Sequence, residues 1–184
     1  MRKELYRRWR ERYKPERVKC LLIAEAPPKG VEGRFFYNPA CEKRDFLFRA
    51  VMSVMREVFP DFTIDCRRGR KHECLQEFKE RGFYLIDAVD IPINDMGQKE
   101  REKIIRENLE EKLKEIEGLR ILKSGVIILI KKSIFEVFYQ ELKRRGFRIA
   151  QDEYIPFPSS GRQREFREKF KRCLKKVQAE LESS

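Results

Sequence analysis

The run Ser124-Gly-Val-Ile-Ile-Leu-Ile130 constrains the fold more than any other stretch, because a segment this apolar must be shielded on both faces. It reads as a parallel strand at the centre of a sheet. Two further apolar runs, Val18 to Ala24 and Phe83 to Val89, read as strands, each ending beside a carboxylate and a proline-containing loop. Residues 147–150 and 154–155 supply a last short strand or two, for an expected set of about four.

Between these runs the apolar residues follow the helical period. Leu5, Tyr6, Trp9 and Tyr13 mark a first helix that packs its aromatic face on the domain. Phe46, Leu47, Ala50, Val51, Val54, Met55 and Val58 mark a second, and residues 73–81 a short third closed by Gly82. Helices are also expected over 98–117, 133–145 and 163–181. Strands alternating with helices predict an α/β fold, a single three-layer α/β/α domain over 1–184 with a small, mostly parallel, four-stranded central sheet. In such a fold the strands' carboxyl ends lie together, so the segments beginning at Glu25, Asp87 and Pro156 are expected to converge on one crevice.

Charge indicates the partner. Lys and Arg number 43 against 31 Asp and Glu, a net +12, which favours a polyanion, nucleic acid first and an anionic membrane surface second. The same richness in charge, with a single Thr, is also the composition of a heat-adapted surface laced with ion pairs. Five cysteines with no Cys-x-x-Cys pair indicate neither a disulfide framework nor a closed zinc site, and they read as mostly buried thiols. His72 stands near Cys66 and Cys74, but that set lacks a fourth ligand. No metal or cofactor is expected. No stretch reaches the roughly 20 apolar residues of a membrane span, so a cytoplasmic protein is expected, with no membrane or obligate protein partner.

Four short segments carry a resemblance: Ile23-Ala-Glu-Ala-Pro27, Gly33-Arg-Phe-Phe-Tyr-Asn-Pro-Ala40, Tyr84-Leu-Ile-Asp-Ala-Val89 and Pro156-Phe-Pro-Ser159. In order and spacing they resemble the uracil-DNA glycosylase superfamily, in the branch whose first motif is Gly-Glu-Ala-Pro-Gly. The resemblance implies a DNA repair glycosylase that flips a nucleotide into a pocket and cleaves its N-glycosidic bond with water. It assigns Glu25 to the water and Phe36 to stacking on the base, with Ala24, Ala26 and Pro27 in the same loop. Asp87 falls where the family reads the base with Asn. Phe157 and Ser159 fall in the second motif, beside the phosphodiester backbone.

This chain departs from that pattern at informative places. Phe157 replaces a histidine that donates to the departing base, and Pro28 removes a backbone donor. An ionised Asp87 cannot donate to a uracil oxygen. Either it is protonated, or the base is not uracil, or Asn94 turns inward. The cluster-binding cysteines of some relatives are not recognisable here. Ser159 and Ser160 could cap the last helix, receive a phosphate, or both, with Arg162 and Arg164 as phosphate contacts or as a solvated face. Glu25 could instead cap a helix or pair with an arginine, and Asp87 could be structural. The expected function is excision of a deaminated or damaged base. The alternatives are an inactive nucleic-acid-binding protein of the same fold and a hydrolase of free nucleosides or nucleotides.

Overall fold

A computed structural model describes residues 2–30, 34–40, 45–66, 69–159 and 161–183. Strands β1 (Val18–Ala24), β2 (Phe83–Asp87) and β3 (Ile121–Leu129) form a parallel sheet in the order β2-β1-β3. β1 is therefore the middle strand, and the apolar run expected at the centre lies to one side. The register pairs Ala24 with Asp87 and Ile23 with Leu129.

The fourth strand expected at 147–155 is reduced to two isolated parallel bridges, Ile127 with Ile149 and Ile130 with Ile155. Gln151 explains the interruption. Its side-chain amide donates to the Leu129 carbonyl (2.8 Å) and accepts from the Leu129 N–H (2.6 Å), occupying backbone groups that a continuous strand would have paired. This stretch still covers the flank of β3, which accounts for that run's apolar character. Within β3 the register slips between the pairs made by Val18 and Cys20. Gly125 sits at the slip, where an added Cβ would come within 2.8 Å of the Leu122 carbonyl oxygen.

The helices follow the periodicity with one break. α1 (Arg2–Arg12) buries Tyr6 and stacks Trp9 on Phe35, with ring centroids 6.0 Å apart, while Tyr13 just beyond the helix stacks on Tyr37 at 5.8 Å. Its aromatic side clamps the loop that follows β1. α2 (Phe46–Val58) and the long α7 (Gln163–Ser183) pack together through their apolar faces. α3 (Lys71–Glu80) precedes β2, and α6 (Lys132–Arg144) follows β3. The expected helix over 98–117 is divided into α4 (Gln98–Glu107) and α5 (Leu109–Glu117) at Asn108, whose side-chain amide donates to the Ile104 carbonyl. No described helix is long and apolar enough to cross a membrane.

The cysteines require a correction, because Cys66 and Cys74 form a disulfide, with Cα atoms 5.7 Å apart. They stand eight positions apart in the chain, a spacing that does not by itself mark a pair. Cys20 and Cys173 are buried thiols, as expected, and Cys41 lies outside the described residues. His72 is engaged by the Tyr13 hydroxyl at 2.7 Å. Opening the eight-residue loop is expected to lower stability by about 2–3 kcal/mol. Denaturation midpoints with and without reductant should show this loss, and Cys66→Ser should abolish the reductant's effect.

Candidate active site

Two residues beyond the paired positions Ile23 and Leu129 come Glu25 and Lys131, so the parallel register itself sets a carboxylate and an ammonium side by side. Glu25 is buried, and its carboxylate accepts from Lys131 Nζ and from Ser133 Oγ at 3.1 Å. The Arg101 guanidinium lies 3.8 Å away. Sequence reasoning missed these three neighbours. Lys131 could have been found, since it directly follows a strand and the strand-end rule applies to β3 as it does to β1.

Lys131 is also the sole non-glycine among the described residues with positive φ, at 90°. With ψ at 144° it sits close to a region that only glycine occupies without strain. Its N–H donates to the Ile155 carbonyl at 2.7 Å, which holds the conformation from the bridge beside β3.

Asp87 has a different environment from the one its sequence context suggested. Its Oδ2 accepts from Arg10 of α1 at 3.2 Å, with both side chains buried. Burial alone would lower the Arg10 pKa, yet Asp87 and its neighbours hold it above its usual value, so the guanidinium stays charged. Burial pushes the Asp87 carboxyl from 3.8 up to about 6, against the opposing pull of Arg10 and Lys112. At neutral pH Asp87 is thus mainly an ion-paired carboxylate, which accepts and does not donate. Arg10 could have been anticipated only as a member of the helix face that carries Tyr6 and Tyr13.

The folded state binds the Asp87 proton more tightly than the unfolded chain, so the contribution is fully present below about pH 4 and is lost as pH rises through about 6. The rise corresponds to roughly 3 kcal/mol. Stability of the parent relative to Asp87→Asn should therefore fall by up to that amount between about pH 4 and pH 7. A difference that stays constant over the range would show that Asp87 does not titrate there.

Glu25, Phe36, Asp87, Asn94 and Phe157 all border one cavity of about 250 Å³ at the carboxyl ends of the strands. Ala24, Ala26 and Pro27 complete its floor, and Lys131 closes one side. Phe36 is mainly a core residue, meeting Tyr37, Phe48 and Phe78 edge-on or tilted, and offers the cavity only part of its ring. Asn94 is exposed at the mouth.

A second cavity of about 230 Å³ adjoins the first and shares Glu25, Lys131 and Phe157 with it. Ser159 and Arg162 border this one, together with Arg101 and Lys132. Arg162 also reaches the Tyr154 hydroxyl and Glu165. Arg164 is not brought to either cavity. It pairs with Glu168 at 2.8 Å on an exposed face of α7. Ser160 and Gly33 lie outside the described residues.

The wall formed by the loop after β1 depends on a buried ion pair. Lys71 Nζ donates to Asp45 Oδ2 at 2.6 Å and to the Phe35 carbonyl at 3.1 Å. Asp45 in turn caps α2 by accepting from the Phe48 N–H at 3.1 Å. Tyr37 ties the same loop to β2, its hydroxyl bonded to both the N–H and the carbonyl of Leu85. Among the described residues no group of three or more His, Cys, Asp or Glu side chains could hold a metal ion.

None of the protein-family models, curated proteins and solved structures compared with the chain matches it.

Proposed function

We propose that the chain has the three-layer uracil-DNA glycosylase-like architecture, with 147–155 standing in for the fourth strand, and that it hydrolyses the N-glycosidic bond of a deaminated or damaged base in DNA. A cytoplasmic location goes with this reading. The observation that carries it is the cavity of about 250 Å³ at the strand ends, bordered by a buried carboxylate and aromatic rings. It has room for one nucleobase, enclosed much as an extruded base must be.

In this reading Glu25 orients a water and takes its proton as the water attacks C1′, and its charge stabilises the oxocarbenium character that develops there. The base leaves with the bonding electrons. Phe157 has no proton to offer it, and Lys131, on the cavity wall, supplies the missing donor. The adjoining cavity, with Arg101, Lys132, Ser159 and Arg162, receives the neighbouring phosphate. The net charge of +12 supports a polyanionic partner over a free nucleoside.

A second reading, DNA binding without catalysis, is favoured by one feature: Glu25 is already engaged by Lys131, Ser133 and Arg101. Single and double strands carrying uracil, hypoxanthine or xanthine separate the two. Release of a free base upholds the glycosylase reading. Intact strands, bound with an affinity that falls linearly in log–log form with salt, uphold the binding protein. Cleavage of free nucleosides without DNA binding would overturn both.

A further inference from the structure

We propose that Lys131 gives the protein a second activity, a lyase step on abasic sugars that proceeds through an imine between its Nζ and C1′. The step rests on the glycosylase reading for its physiological substrate, but its chemistry can be tested separately.

Three observations converge on this residue. The backbone at Lys131 is held where glycine would be cheaper, with φ at 90° and ψ at 144°, although a lysine side chain gains nothing locally from that conformation. Strain of this kind persists only when surrounding structure imposes it, here the bonds from Lys131 N–H to Ile155 and from Ile130 N–H to Ile23. Second, Lys131, Glu25 and Phe157 are the residues common to both cavities. With a base in one cavity and its phosphate in the other, the sugar lies at this shared border, beside Nζ. Third, Nζ contacts the Glu25 carboxylate directly, which places an acid–base group beside the amine for the imine-forming and elimination steps.

The balance is complete with groups already present. Loss of the base leaves a C1′ hemiacetal that opens to an aldehyde. Lys131, having given its proton to the departing base or, on a preformed abasic site, to Glu25, attacks C1′ through its nitrogen lone pair. Glu25 then returns the proton it holds, from Lys131 or from the attacking water, to the C1′ hydroxyl, which leaves as water as the protonated imine forms, restoring the Glu25 carboxylate. Glu25 removes the C2′ proton, that electron pair forms the C2′–C3′ double bond, and the C3′–O bond breaks with the downstream 5′-phosphate as leaving group. Water then hydrolyses the imine, returning the amine and an unsaturated aldehyde on the upstream strand. No oxidant or reductant is needed.

The test uses the full chain with a preformed natural abasic site in a single strand, in the presence of borohydride, which reduces an imine to a stable amine. A covalent protein–DNA adduct should form, and its tryptic peptide should carry the modification at Lys131. Lys131→Arg, which keeps the charge and the contact with Glu25, should lose both the adduct and strand scission while still binding a tetrahydrofuran abasic analogue. Lys143→Arg, remote from both cavities, should retain the adduct. No adduct with the parent, an adduct at another residue, or an undiminished one in Lys131→Arg would overturn the proposal. Base excision is read on separate strands. Bases released from strands that then stay uncut and untrapped leave the glycosylase reading standing and remove the lyase. Trapping at Lys131 without base release does the reverse.

Discussion

On the proposed glycosylase reading, Glu25→Gln is expected to slow base excision by about 10²- to 10⁴-fold, the range for losing a positioned acid–base group, while the chain stays folded and its DNA binding matches the parent's. The substitution conserves volume and leaves an oxygen to accept from Lys131 and Ser133, so the wall of the cavity is kept. It removes the negative charge that would take the water's proton and face the oxocarbenium-like sugar. Single-turnover base release from a saturating excess of enzyme reads the chemical step directly. Equal thermal midpoints for the two proteins exclude misfolding as the cause. A loss below about tenfold would place Glu25 outside the chemistry and return it to a structural role.

The second large effect concerns stability. Asp45→Ala takes the paired carboxylate away from the Lys71 ammonium in the interior, where the Lys71 side chain is only 1% exposed. Removing one partner of a buried pair costs about 3–5 kcal/mol, and the loss of the α2 cap adds about 1 kcal/mol. For a chain of this size each kcal/mol is worth about 2–4 °C in the thermal midpoint, so Asp45→Ala should melt well below the parent. Lys71 also lies 4.5 Å from the centre of the Phe48 ring, a contact that a methionine could partly keep. Asp45→Ala combined with Lys71→Met should therefore be less destabilised than Asp45→Ala alone. If the double variant is the worse of the two, the buried charge is not the source of the loss. Because Lys71 also holds the Phe35 carbonyl, Asp45→Ala should weaken substrate binding as well, through the loop bearing Phe35 and Phe36.

Much of the secondary structure was legible because it is written in local periodicity. The strand from Val18 to Ala24 and the helix from Phe46 to Val58 are bounded by prolines and polar breaks, and both lie where their apolar patterns place them. The division of 98–117 at Asn108 was less legible, since the apolar spacing runs through it unbroken. It turns on one side-chain amide bonding to its own helix. The interruption of the fourth strand likewise depends on Gln151, whose amide mimics a peptide only because it is carried to Leu129.

The residues gathered at the strand ends divide in the same way. Glu25, Phe36, Asp87, Asn94 and Phe157 could be singled out because each sits in a loop beyond an apolar run or in a matching short motif. Their partners could not, because ion pairs form across long stretches of sequence. Arg10 and Asp87 are 77 residues apart, and Lys131 and Glu25 are 106. Nothing in local sequence distinguishes Lys131 from Lys132, yet one is held against Glu25 and the other pairs with Glu136 on an exposed helix face.

By itself, then, the sequence determined the alternation of strands and helices, the positive charge and the delivery of Glu25 to the end of a buried strand. These follow from which side chains water excludes, a property each segment carries alone. Only the tertiary structure decided that β1 lies between β2 and β3, that Cys66 meets Cys74, that Asp87 answers to Arg10, and that Lys131 is held against Glu25. Those outcomes depend on register and on the burial of opposite charges, and both exist only once distant segments have packed together.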